Sequence, residues 1–190
     1  MGFNGEILVG RGKSFISALT RFWNWDEEVR ETRPMREDWL AIYVRSPAEP
    51  GELVELAEAA DGPVLACLVF EGTTGHVRGI GTTGSWEAWL NPDDAARLKA
   101  WDTVDKQIGG GLYPDGTEQD HAKVQQLKAR FGAALDAERP AAIHAATVWA
   151  LEAELPADAE RVEEVLATPW GSSAEHGFLA LLSALGISST

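Results

Sequence analysis

An α+β fold is what this sequence predicts: an antiparallel β-meander sheet in the N-terminal half with helices packed on it, and a C-terminal half that is helical. Three observations predict it. Short apolar runs bounded by glycine-rich turns fill the first half of the 190-residue chain. Helical periodicity and capping signals dominate the second half. Strands therefore precede helices, which is the order of an α+β domain and not of a repeating βαβ chain. With 45% hydrophobic and 24% charged residues, the composition is that of a domain with a packed core.

The elements follow in order. Glu6 to Gly10 is a short buried strand, and Phe15, Ile16, Leu19 and Phe22 recur at helical spacing over residues 14–22. Charges crowd Asp26 to Asp38 and Pro34 interrupts them, so at most a short exposed helix is expected there. Trp39 to Val44 is a strand. Ser46-Pro47-Ala48-Glu49 has the capping residue, proline and acid of a helix start; Leu53, Leu56, Ala57 and Ala60 mark its apolar face, and Asp61-Gly62 ends it. The meander comprises Pro63 to Phe70, His76 to Gly81 and Ser85 to Leu90. Its turns, Gly72-Thr73-Thr74-Gly75 and Gly81-Thr82-Thr83-Gly84, repeat the same four residues. In all, four or five strands are expected.

Asn91-Pro92-Asp93-Asp94 starts a helix through Ala95, Leu98 and Trp101. A capping box at Thr117 to Asp120 starts another, with Val124, Leu127, Phe131 and Leu135 on one face. Pro140 opens a further helix to about Leu155, Pro156 one to about Leu166, and Ser173 one to Leu185. The whole is one domain, 1–190: an α+β part over about 1–108, a glycine-rich connection at 109–117 and a helical part over 118–190.

The formal charge is −14, spread over both halves. Binding to a phosphate backbone requires a basic patch that releases counterions, so the sequence argues against nucleic acid and against an anionic membrane surface. Cys67 is the single cysteine, which excludes an intrachain disulfide and a cysteine-based zinc site. No apolar run reaches the length of a membrane span, and the first residues lack a basic segment followed by an apolar one; the cytoplasm is the expected location.

Local motifs fail their context tests. Gly12-Lys13-Ser14 resembles the end of a phosphate-binding loop, but Ile7 stands where that loop needs glycine, which leaves a polar, basic strand end. Gly79-Ile80-Gly81-Thr82-Thr83-Gly84 matches a dinucleotide fingerprint in letters only, because Ser85 to Leu90 reads as strand and not as the required helix. Glu118 and His121 form half of a di-iron motif without a second half, so His121 is read as solvated. His144 shares a spacing with Val148, Leu151 and Leu155 and is read as a core histidine. Ser172, Ser173, Glu175 and His176 lie at a helix start, where such residues cap. No cofactor or metal is expected.

Two functional readings remain. The first is a non-enzymatic binding protein, such as an inhibitor or immunity-type protein, docking on a basic protein partner. It rests on the charge, on eight tryptophans and on the lack of a complete catalytic motif. Its candidate contacts are the carboxylate stripes Glu52 and Glu55, and Glu160, Glu163 and Glu164. The second is a small-molecule-binding domain or enzyme whose site assembles from His76, Arg78, His121 and His144, with Gly109 to Gly116 as a lid. A deep pocket gathering two or more of those residues favours the second reading; a shallow acidic and aromatic face favours the first. Phe178, Leu179, Leu181, Leu182 and Leu185 surround the last helix, which implies central burial or a partner surface such as a homodimer contact.

Overall fold

In a computed structural model, which describes residues 3–109, 117–171 and 173–188, the N-terminal half forms one six-stranded sheet. The strands are β1 (Gly5–Arg11), β2 (Val29–Pro34), β3 (Trp39–Val44), β4 (Val64–Phe70), β5 (Thr74–Gly81) and β6 (Gly84–Leu90). They are ordered β2-β3-β1-β4-β5-β6, and every neighbouring pair is antiparallel. The helices are α1 (Gly12–Leu19), α2 (Trp25–Glu28), α3 (Pro50–Ala60), α4 (Pro92–Ile108), α5 (Glu118–Glu152), α6 (Ala159–Ala167) and α7 (Ala174–Ala184).

Period-two alternation sends the two sides of each strand into separate cores. Ile7, Val9, Trp39, Tyr43, Cys67 and Val77 face α5, α6 and α7; Leu8, Ile42, Val44, Val64 and Ala66 face α1 and α3. Cys67 is fully buried, and burial pushes its thiol pKa well above the ordinary value. The last helix is central: Phe178, Leu181, Leu182 and Leu185 are all at zero exposure in the larger core. One close approach depends on glycine, because the Trp86 indole lies over Gly79, where a Cβ would collide with it.

The sequence-based boundaries shift in five places, each for a physical reason. Helix α6 begins at Ala159 and not at Pro156, because the Asp158 N–H donates to the Ala184 carbonyl at 2.9 Å and the Asp158 side chain caps the helix by accepting from Arg161 N at 3.2 Å. The charged stretch 29–34 is an edge strand and not a short helix. An edge strand buries little, so its residues remain polar; the Val29/Glu31 bulge and Pro34 are common devices at such an edge. Helix α3 begins at Pro50, three residues later than the Pro47 start, because Ala48 is held elsewhere. Its N–H donates to Glu6 Oε2 at 2.6 Å and its carbonyl accepts from Arg78 Nη2 at 3.0 Å, so Glu49 becomes the cap, with Glu52 completing the capping box. Pro140 lies inside the 35-residue α5 and does not open a new helix. The segment before it packs on α4 around Ala100, Val104 and Val124, and the segment after it packs on the sheet through Ala146, Trp149 and Ala150. Packing on both sides outweighs the lost hydrogen bond. Gly12-Lys13-Ser14 is the first turn of α1, following β1 directly, and not a strand end. The connection expected at 109–117, with its proposed lid, lies outside the described residues except for Gly109 and Thr117.

The two helical layers differ in width. Helices pack roughly 8–10 Å apart and strands about 4.8 Å, so two helices cover about four strands. On the side of α1 and α3 the outward residues of β5 and β6 are therefore covered only in part, with α4 reaching Trp89 through Lys99: Ser85 and Glu87 are exposed, and His76, Ile80 and Trp89 partly covered. That strip positions the candidate site.

Candidate functional site: an uncovered face of β5 and β6

The hairpin register places His76 opposite Trp89, Arg78 opposite Glu87 and Ile80 opposite Ser85. Cross-strand neighbours on one face touch, and here they form a stack. The His76 and Trp89 rings lie 4.3 Å apart at 11°, and Phe70 extends the stack at 6.1 Å and 18°. Lys99 of α4 reaches over the Trp89 ring at 4.8 Å. Diagonally, His76 Nε2 sits 3.0 Å from the Glu87 carboxylate. Burial pushes the His76 pKa below the ordinary imidazole value, and the Glu87 carboxylate opposes that shift only in part.

Beneath this face, Arg78 Nη2 donates to Glu6 Oε1 at 2.6 Å, with Glu6 fully buried. Burial raises the Glu6 pKa, against the lowering by its bonds from Ala48 and Arg78. Arg78 is thus committed to Glu6 and Ala48, although its Nε is buried without a partner. Paired this way, it adds little net charge to the face.

The face ends at the β5–β6 turn, where carboxylates gather. The Glu152 carboxylate accepts from Thr82 N at 2.7 Å, Thr82 Oγ1 at 3.1 Å, Thr83 N at 3.3 Å and also Thr83 Oγ1. These bonds hold its pKa below the usual carboxylate range. They clasp the turn to the end of α5. A cleft of about 470 Å³ lies between this turn and α3, lined by Val54, Ala57, Glu58, Asp61, Pro63, Ile80 and Glu152 among others. A second of about 310 Å³ continues past Asp61 and Glu152 to Arg11 and Glu154, and a third of about 210 Å³ lies behind the turn against Trp86, His144 and Trp149.

The site residues expected from sequence divide accordingly. His76 and Arg78 are brought together, two residues apart on one face of β5. His121 is exposed on the α4–α5 hairpin, edge-on to Trp101 at 5.5 Å. His144 is exposed too, contrary to the core position expected. The buried stripe of α5 runs through Ala146, Trp149, Ala150 and then Ala153, which leaves His144 outside and Leu151 67% exposed. Leu151 and Val148 carry an apolar spacing on a face of α5 that the sheet does not cover. His144 lines the third cleft, and none of His76, Arg78 and His121 lines any of the three.

Of the carboxylate stripes, Glu52 closes the α3 capping box, with Glu49 N donating to it at 2.7 Å, and Glu55 is exposed. Glu160, Glu163 and Glu164 are exposed on α6. Because α3 and α6 belong to opposite layers of the sheet, the two stripes face opposite ways. Ser173 caps α7 through the N–H of His176, and Glu175 accepts from Tyr43 and Arg33. Among the described residues, no group of three or more His, Cys, Asp or Glu is placed to hold a metal ion.

Sequence reasoning missed Glu6, Glu87, Trp89, Asp61 and Glu152. For Glu87 and Trp89 a signal existed: once Gly81 to Gly84 is read as a tight turn, the register pairs 76 with 89 and 78 with 87. Glu6 and Glu152 gave none, because their partners lie 72 and 70 residues away. No known protein family, curated protein or solved structure matches this chain.

Proposed function

We propose that this chain is a non-enzymatic binding protein, of inhibitor or immunity type, that docks on a basic protein partner through the open face of β5 and β6. The observation that carries the proposal is the stack of Phe70, Trp89 and His76 on a shallow, half-covered sheet surface bordered by Glu87 and the acidic end of α3. Partly exposed aromatics on a rigid sheet supply contact area at small entropic cost, and they dominate interface hot spots. The charge of −14 complements a cationic partner and speeds encounter with it. The α6 stripe Glu160, Glu163 and Glu164 contributes to that long-range field from the opposite layer.

The test is recovery of a partner on the tagged chain from native extract, followed by association kinetics. Trp89→Ala is expected to weaken binding about tenfold or more, as truncation of a hot-spot tryptophan does. The association rate is expected to fall as salt rises to physiological strength. Glu160→Lys with Glu164→Lys should slow association and leave dissociation unchanged. A partner indifferent to Trp89→Ala and to ionic strength overturns the proposal, as does a purified protein that turns over or retains a small molecule.

A further inference from the structure

The side of α5 turned away from the sheet carries a surface that the face of β5 and β6 does not use. We infer that this surface, centred on His144, Val148 and Leu151, is a contact between two copies of the chain, which associate weakly and reversibly as a two-fold dimer.

Charge is the first ground. The chain has two runs of more than ten residues without Asp, Glu, Lys or Arg, 140–151 and 176–190. With 24% of its residues charged, such runs belong where water is excluded. The second run meets that expectation, because Phe178, Leu181, Leu182 and Leu185 are fully buried. The first meets it on one side only. Ala146, Trp149 and Ala150 are buried against the sheet, whereas Ala141, His144 and Leu151 are exposed and Val148 is half-buried. Leu151, at 67%, is the most exposed of the large hydrophobic residues described, ahead of Val54 and Ile108 at 42%.

Shape is the second ground. Beside this stripe, between α5 and the start of β6, lies the cleft of about 210 Å³ whose walls include Ser85, Trp86, His144 and Val148. Leu151 stands one turn beyond Val148 on the same helix. A projecting apolar side chain and a recess therefore share one surface, and in a two-fold contact whatever one copy inserts it also receives. The leucine of each copy covers the recess of the other, which removes apolar surface from water on both sides.

Net charge selects the occupant. Two copies at −14 repel each other, and a two-fold axis sets like against like, so they can meet only where acids are few or already engaged. This face qualifies. Of the acids that follow Leu151, Glu152 is held by Thr82 and Thr83 of the β5–β6 turn, and Glu154 lies 3.8 Å from Arg11. A basic partner, in contrast, is drawn to acidic faces and finds no complement on an uncharged one. The run is roughly 18 Å long, short for a stable interface, so a dissociation constant on the order of 0.1–1 mM is expected.

Sedimentation of the whole chain from about 10 μM to about 1 mM, at low and at physiological salt, tests this. The average mass should rise toward the dimer with concentration, and more so at the higher salt, because screening weakens the repulsion between copies. Leu151→Glu should raise the dissociation constant about tenfold or more, since it places a charge against each recess. Leu151→Ala, which removes only the projecting side chain, should give a smaller loss in the same direction. The site is mostly exposed, so the urea midpoint of both variants should be nearly unchanged. Val54→Glu adds the same charge on α3, in the opposite layer, and should leave association as it is, which separates the contact from a general rise in repulsion. A chain that stays monomeric to about 1 mM at both salts overturns the inference. A dimer that weakens with salt, or that Val54→Glu disrupts and Leu151→Glu does not, also overturns it. The face of β5 and β6 lies on the other side of the sheet, so partner binding is judged separately through Trp89→Ala.

Discussion

His76 shows how one side chain reports on its surroundings. Its ring is sandwiched against Trp89 and only 18% exposed, so its charged form is desolvated, and its folded pKa lies below the unfolded value near 6.5. The folded state then binds fewer protons than the unfolded state between those two values. Stability is full above pH 6.5 and is lost as pH falls through the window below it. His76→Gln should flatten this part of the curve, measured as the urea midpoint between about pH 5 and 7.5. An unchanged acid-side slope contradicts the assignment. The Glu6–Arg78 pair is a different case. Removing one partner leaves a buried charge alone, whereas the pair as a whole need not stabilise the fold. Its visible effect is local, since it holds both backbone groups of Ala48 and so decides where α3 begins.

At the scale of elements, α5 carries the most information. Its 35 residues span two environments, the α4 hairpin and the sheet, and Pro140 marks the passage between them. Proline costs about 3 kcal/mol in a helix interior, and Pro140 is exposed, so Pro140→Ala restores a backbone bond without disturbing the core. It should stabilise the protein by roughly 1–3 kcal/mol in urea unfolding. A destabilised variant would mean that the proline itself is required for the packing of α5 on both sides. The sheet edges contrast with each other. Strand β2 protects its edge with charge, a bulge and proline. At β6, helix α5 lies alongside, with Leu135, Arg139 and Ala142 forming a narrow cleft against Glu87, Ala88 and Trp89.

For the molecule as a whole, the governing quantity is its charge. Carboxylates outnumber basic residues 30 to 16, and several of the bases are already tied to acids in pairs such as Arg11–Glu154, Arg33–Glu31 and Arg97–Asp94. A repulsive field toward phosphate results, so no shift of duplex DNA is expected on a gel at micromolar protein and physiological salt. A complex that appears there and dissolves on raising salt would contradict this. No helix among the described residues is long and apolar enough to cross a membrane.

How much of this was legible in the sequence depends on the range of the interaction. The α+β class, the meander β4–β6 and the starts of α4 and α7 rest on local signals: alternation, tight glycine turns, and caps such as Asn91-Pro92 and Ser173. Burial of Cys67 was equally local, since it stands in a continuous apolar run of β4. The strand nature of residues 29–34 was hidden because an edge strand buries little and carries no apolar pattern. The face of α5 that meets the sheet was misread because Leu151, an apolar residue, points to solvent while three alanines and Trp149 are covered. Which carboxylates gather at the β5–β6 turn was beyond sequence altogether. Glu58 and Asp61, at the end of α3, meet Glu152 of α5 only when the sheet brings both helix ends to one strand end. Composition and local pattern determined the class, the acidity and most elements, because those depend on neighbours in the chain. The tertiary structure alone decided the half-covered face and its acidic cleft, because these arise where α1 and α3 stop short of β5 and β6 and only α4 reaches over part of them.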